Sequence, residues 1–219
     1  MNVSVLVCTH GDRAWSERAQ EAALTAQAAD ETVVRHEDDA TLAQVRNVAA
    51  QTATGDWLCF LDADDELDPG YLDAMRKTMR MWNLSRRGDL ISNPLLLVPA
   101  VQYLRPGWIE RSHPVIPDWD RLLVDLNCAV IGTLVPRLLF KEVGGFREWP
   151  MYEDWDLWLR CVRAGARLVP VPDAVYRARV SPDSRNQQKH TLRASTYEAI
   201  RAEHADVEPG WWRGAKVQT

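Results

Sequence analysis

The clearest hydrophobic pattern in the chain is a short apolar run, Trp57-Leu58-Cys59-Phe60-Leu61, with Gly55 before it and Asp62-Ala63-Asp64-Asp65 directly after. An uninterrupted apolar run of this length predicts a strand buried on both faces, as in the parallel sheets of α/β proteins. Val3-Ser4-Val5-Leu6-Val7-Cys8 predicts an earlier strand, and Thr32-Val33-Val34-Arg35-His36 a second. Between them, residues 15–28 and 42–51 are rich in Ala, Glu and Gln, which favour helix. Strand and helix thus alternate through the first 61 residues, the signature of a parallel sheet with crossover helices.

Further along, 69–82 predicts a third helix with Leu72, Met75, Met79 and Trp82 near one face. Leu90-Ile91-Ser92 and Leu95-Leu96-Leu97-Val98 read as strand pieces broken at Pro94, and 99–120 as a long irregular surface loop. A strand over 127–135 and a short helix through Leu138, Phe140 and Val143 follow. Gly144-Gly145 ends that helix with residues able to take positive φ. Asp154, Leu157, Trp158 and Cys161 share one side of a helix, 169–172 and 174–177 are late strands, and 191–204 is a weakly amphipathic helix.

The chemistry lies where strands end. If the extended backbone continues to residue 64, Asp62 and Asp64 point the same way, at the end of a central strand where open α/β sheets bind ligands. Two such carboxylates repel each other, so a divalent cation with oxygen preference, Mg²⁺ or Mn²⁺, is their natural partner. The bland alternative is a turn with Asp65, Asp68 and Pro69 opening the next helix. An EF-hand loop from Asp62 fails because Leu67 stands where glycine is needed. The second strand also ends in acids, Glu37-Asp38-Asp39, able either to accept hydrogen bonds from a base or ribose or to cap the helix after Ala40. Arg46 is a candidate phosphate ligand or an ordinary exposed helix arginine. Asp154 sits among Trp149, Tyr152 and Trp155, aromatic faces suited to sugar rings; desolvation by them would raise its pKa toward that of a useful base.

Composition narrows the classes. A net charge of -5 argues against a nucleic-acid or anionic-membrane surface. The four cysteines, Cys8, Cys59, Cys128 and Cys161, form no CxxC pair and read as reduced core thiols of a cytoplasmic protein. No apolar stretch approaches membrane-spanning length, which leaves the Trp211-Trp212 pair as the one candidate for a peripheral membrane contact.

As a set, these residues resemble a family 2 glycosyltransferase with the GT-A fold. The likeness rests on Thr9 after the first strand, Arg46-Asn47, Gly55-Asp56, the Asp62-Ala63-Asp64 DXD motif, Gly144-Gly145-Phe146 and Glu153-Asp154-Trp155-Asp156-Leu157, in that order, over about residues 3–180. It implies an α/β fold, a single GT-A domain over 1–180 with a mixed, mostly parallel central sheet, and a 181–219 tail packing on or over the site. It implies a metal-dependent, inverting transfer from a nucleotide-diphosphate sugar, UDP-linked by preference. Thr9, His10, Asp38 or Asp39, Arg46, Asp62, Ala63 and Asp64 would meet the donor. Asp64, Asp62 and His190 would hold Mn²⁺ or Mg²⁺, and Asp154 would be the catalytic base. Trp149, Glu153 and Trp155 would face the acceptor, whether a glycan, lipid-linked sugar, protein or modified nucleic acid. Three departures stand out: Arg179-Val180 where the family often has histidine, Glu37-Asp38-Asp39-Ala40 in place of a Gly-Ser turn, and no Gln-x-x-Arg-Trp, which favours single transfer over processive synthesis. A nucleotidyltransferase would need a glycine-rich basic loop where Gly11 stands alone, and a non-catalytic sugar- or nucleotide-binding module would not need all three of Asp62, Asp64 and Asp154.

Overall fold

The computed structural model describes residues 1–12, 14–82, 94–105, 107–112, 127–180 and 190–205. Strand β1 (Val3–His10), helix α1 (Ala14–Leu24), β2 (Glu31–Glu37), α2 (Leu42–Thr52) and β3 (Trp57–Leu61) form the first unit. β1 pairs parallel with β2 on one side and β3 on the other. The crossover from β1 to β2 and the one from β2 past β1 to β3 run in opposite directions across the sheet, so the right-handed rule places α1 and α2 on opposite faces. β1 and β3 are buried on both faces, which is why their sequences are continuously apolar rather than alternating.

After β3 come a short β4 (Glu66–Leu67), α3 (Tyr71–Met81), β5 (Leu95–Arg105) and β6 (Trp108–Ser112). β7 (Val135–Pro136), α4 (Arg137–Glu142), α5 (Glu153–Arg163), β8 (Arg167–Arg179) and α6 (His190–Glu203) complete the described elements. One sheet has the order β2-β1-β3-β7 and the other β4-β8-β5-β6. An antiparallel bridge joins them, with Leu97 N–H to Leu134 O at 3.1 Å and the reciprocal bond at 3.0 Å. The fold is therefore mixed α/β with a mixed sheet, and most of its paired residues run parallel, as expected. β1–β2, β1–β3 and β5–β8 are parallel; β3–β7, β4–β8 and β5–β6 are antiparallel.

Three expectations need correction. β5 begins directly after Pro94, and the irregular loop expected from 99 is, as far as 112, the rest of that strand and an antiparallel hairpin turning at Gly107; the two late strands expected at 169–172 and 174–177 are the single β8. Pro99 is tolerated because the β5–β8 register shifts between Pro99 and Ala100, a bulge that spares it a ladder hydrogen bond. The strand expected over 127–135 reduces to Leu134 and β7; the rest of that apolar stretch is buried or half-buried without regular pairing. The strand piece at 90–92, the remainder of 113–120 and Trp211-Trp212 lie outside the described residues. All four cysteines are unpaired, and three of them are buried.

On the α2 face of the sheet, Phe60, Phe140 and Phe146 form a ring cluster with centroids 4.8–5.7 Å apart. This cluster joins β3 to α4 and to the loop that leads into α5, and it fixes how far α5 stands from the end of β3.

Candidate active site

The carboxyl ends of β1, β2 and β3 lie side by side, as the parallel pairing requires. At the end of β3 the backbone does not stay extended. The Asp65 N–H donates to Asp62 O at 3.0 Å, so residues 62–65 form a turn and the alternation expected for Asp62 and Asp64 does not apply. β8 clasps that turn. The Tyr176 hydroxyl donates to Asp65 Oδ2 at 2.7 Å and accepts the Asp62 N–H at 3.2 Å, while the Arg179 N–H donates to Asp65 Oδ1 at 2.8 Å. Asp65 is buried, and burial, followed by the charges of Asp62 and Asp64, raises its pKa well above the usual carboxylate range. Asp62 and Asp64 remain partly exposed.

Tyr176, fully buried, is the pin of this clasp, and its ring lies against Gly132, where any β-carbon would run into it. Gly132→Ala is thus expected to destabilise the fold by about 1–3 kcal/mol through overpacking, seen as a lower urea midpoint with unchanged slope. An unchanged midpoint would show that the ring gives way freely.

Arg46 connects the turn to α5. It is 2% exposed, and its guanidinium donates to Asp62 Oδ1 at 2.6 Å and to Glu153 Oε1 at 2.9 Å while lying 5.0 Å from the Phe146 ring centre. The two acids keep it charged: against the desolvation that opposes its proton, Asp62 and then Glu153 raise its pKa. Arg46 is thus neither an exposed helix arginine nor open to a phosphate through these nitrogens. Its neighbour Asn47 mimics a peptide group, donating to Phe146 O and accepting the Phe146 N–H, both at 2.8 Å. Gly145 has φ +70° and no room for a side chain against Asn47, which accounts for the paired glycines before Phe146.

Asp154, in the first turn of α5, is partly exposed. Burial is the main cause of its rise to a pKa of about 7, with Glu153 next; the Trp155 N–H and Arg46 pull the other way, and Asp62 adds a further push. The Asp62–Arg46–Glu153 bridge brings the first turn of α5, which carries Asp154, to the β3 turn. Asp62 and Glu153 thus flank the buried Arg46, with Asp64 and Asp154 two residues and one residue further along the chain from them. The carboxylate oxygens of Asp62 and Asp64 are donors of the kind that a small divalent cation such as Mg²⁺ or Mn²⁺ prefers.

At the ends of β1 and β2, the buried Thr9 hydroxyl lies 2.8 Å from His36 Nδ1, and His36 Nε2 lies 2.9 Å from Asp38 Oδ1. The helix cap expected from Asp38 or Asp39 is instead Thr41, whose hydroxyl accepts the Gln44 N–H in a reciprocal capping box. Asp38, Asp39 and His10 are exposed, and Ala63 is buried. On the expected acceptor side, Trp155 is completely buried and stacks on Tyr197, and Glu153 is turned onto Arg46. Neither presents an open face; the helical stripe that carries them is core. Trp149 is partly exposed. The side chain of His190 lies outside the described residues.

Sequence reasoning overlooked the burial of Asp65, the pin Tyr176, and Arg160, which donates to Asp156 Oδ2 at 2.9 Å and to Val143 O and Gly145 O at 2.6 Å. Tyr176 stands directly before Arg177 in a strand that also carries Arg167, Asp173 and Arg179, so the local pattern held no signal for it.

Residues 16–81 match the model of glycosyl transferase family 2. Over 197 residues the chain is 29% identical to an N-acetylglucosaminyl-diphospho-decaprenol L-rhamnosyltransferase of Mycobacterium tuberculosis, covering 80% of this chain and 63% of the relative. It is 25% identical over 171 residues to an uncharacterized glycosyltransferase of Haemophilus influenzae, covering 72% of this chain and 56% of that protein. An uncharacterized protein of Sinorhizobium fredii, y4gI, is 26% identical over 156 residues, or 69% of this chain and 16% of its own length. The chain thus spans less than two thirds of each of these relatives. Among solved structures, S. aureus TarS 1-349 in complex with UDP-GlcNAc superposes with a TM-score of 0.62 at 14% identity, covering 93% of this chain and 66% of TarS 1-349. GalNAc-T7 with UDP, GalNAc and Mn²⁺ superposes with a TM-score of 0.58 at 15% identity, covering 94% and 49%. At such identities the structures speak for a shared GT-A fold.

Proposed function

We propose, from the premise that this chain is a family 2 glycosyltransferase, that it transfers a sugar from a nucleoside-diphosphate sugar, UDP-linked by preference, to one acceptor hydroxyl with inversion. The observation that carries this reading is Arg46, which ties Asp62 at the end of β3 to Glu153 beside Asp154 and so holds two kinds of acid around one cleft. Asp154 is the base. Its carboxylate takes the proton of the acceptor hydroxyl as that oxygen bonds to the anomeric carbon from the face opposite the nucleotide. The bond from that carbon to the diphosphate breaks, and its electron pair leaves with the diphosphate.

Asp64, with the Asp62 oxygen turned away from Arg46, would hold Mg²⁺ or Mn²⁺; when bound, such an ion offsets charge growing on the departing diphosphate. Thr9, its hydroxyl oriented by His36, and Asp38 or Asp39 line the nucleoside end. The absence of Gln-x-x-Arg-Trp supports a single transfer. Among the described residues no helix is long and apolar enough to cross a membrane. A lipid-linked sugar is the first acceptor class to test, given the name of the Mycobacterium relative. Residues 1–180 are the catalytic unit in this reading, acting in the cytoplasm, with 181–219 as an appended segment.

Incubation with UDP-, GDP- and TDP-sugars and Mn²⁺ is the test. One donor should release free nucleoside diphosphate, and chelation with EDTA should slow release at least about 100-fold. If no donor is cleaved and none raises the melting temperature, the proposal fails.

A further inference from the structure

We infer that α6 is a positioning element of this site, and that Tyr152, held by Arg193, is the residue through which it orients Asp154. The inference rests on the reading of Asp154 as the base. Tyr152 is the non-glycine residue with positive φ among those described, at φ 62° and ψ 26°, immediately before the first turn of α5. A side chain in this left-handed region costs about 1–2 kcal/mol and persists only where the surroundings impose it. The helix start also lacks a side-chain bond from its cap residue, and the local restraint on the turn is the Trp155 N–H, which donates to Asp154 Oδ1 at 2.8 Å.

The long-range restraint comes from α6. Arg193 Nε donates to the Tyr152 hydroxyl at 2.5 Å, and its guanidinium lies 6.0 Å from the ring centre. Tyr197 meets the Tyr152 ring edge-on at 6.3 Å and stacks on Trp155 at 4.9 Å with an interplanar angle of 24°. Two turns further, just past the end of α6, His204 Nε2 lies 3.2 Å from Asp156 Oδ1, and Arg147 links Glu203 to the same carboxylate. These contacts land on residues 152, 155 and 156, before and after Asp154. Residues 152, 155 and 156 stand at i, i+3 and i+4, so α6 holds the first turn of α5 along one face. A shift of roughly 1 Å in a reacting group can cost about 100-fold in rate, so the grip bears on turnover rather than on donor binding.

The test uses the full chain, with UDP and Mn²⁺ as the binding probe and hydrolysis of whichever UDP-sugar it cleaves as the turnover probe. Tyr152→Phe and Arg193→Gln should each lower turnover 5- to 20-fold with UDP affinity unchanged within twofold. The double variant should be no worse than either single one, because both remove the same bond. Tyr152→Gly, which adopts the backbone conformation without strain, should keep the melting temperature and still lose turnover. Turnover within twofold of the unaltered protein, additive losses in the double variant, or equal loss of UDP binding would each overturn the inference. If the unaltered protein neither binds UDP nor cleaves any donor, the glycosyl-transfer reading falls first and takes this one with it.

Discussion

Asp154→Asn is expected to lower turnover by about 10²- to 10⁴-fold, the usual contribution of a positioned general base, while donor affinity stays within about twofold. The amide keeps the shape of the carboxylate and cannot accept the acceptor's proton. Single-turnover transfer and nucleotide titration separate the two quantities, and equal turnover in the variant would remove Asp154 from its role. The pH dependence has a defined sign. Burial, reinforced by Glu153, lifts the Asp154 carboxyl to about 7 in the free protein, so the active carboxylate form is scarce below that value and activity should climb as pH rises through it. Stability should run the other way. Between the ordinary carboxylate pKa of 3.8 and about 7 the folded state holds this proton more tightly than the unfolded chain, so its contribution is present at the acid end and lost as pH rises. Asp154→Asn, which carries no charge to desolvate, should therefore melt higher than the unaltered protein at pH 8. A site that stores instability in a charged base is a common trade of stability for activity.

Much of this arrangement was legible in the residues alone, and the failures have definite causes. The β1–α1–β2–α2–β3 unit could be read because buried parallel strands are continuously apolar and the helices between them are not. The paired glycines before Phe146 also announced their positive φ. The hairpin of β5 and β6 was missed because Pro99 signals a break; a bulge, invisible in sequence, makes Pro99 acceptable. Trp155 was misjudged for the opposite reason. An aromatic beside a carboxylate suggests a sugar platform, but helical spacing alone does not say which face a neighbouring helix covers, and Tyr197 of α6 covers this one. The alternation expected of Asp62 and Asp64 assumed an extended chain, whereas Tyr176, more than a hundred residues away, holds a turn. Long-range hydrogen bonds decide such cases, and local pattern carries little trace of them.

Replacing Arg46 by Met is expected to destabilise the fold by about 3–5 kcal/mol and to abolish activity, because the buried Glu153 and the half-buried Asp62 would be left with no counter-charge. Arg46→Lys should recover only part of this, since an ammonium on a flexible stem cannot bridge Asp62 and Glu153 with the planar fork that guanidinium offers. Two measurements distinguish charge compensation from loss of packing against Phe146. First, the Met variant should regain stability as pH falls, because protonation of the stranded carboxyls removes the unpaired charge; a variant that had lost only packing would show no such recovery. Second, the combination Arg46→Met, Asp62→Asn, Glu153→Gln should unfold at a higher urea concentration than Arg46→Met alone while remaining inactive, since a neutral network no longer buries charge but also no longer gathers acids around the cleft. If Arg46→Met unfolds at the urea concentration of the unaltered protein, the buried guanidinium does not hold β3 and α5 together, and the electrostatic basis of the proposed cleft is lost.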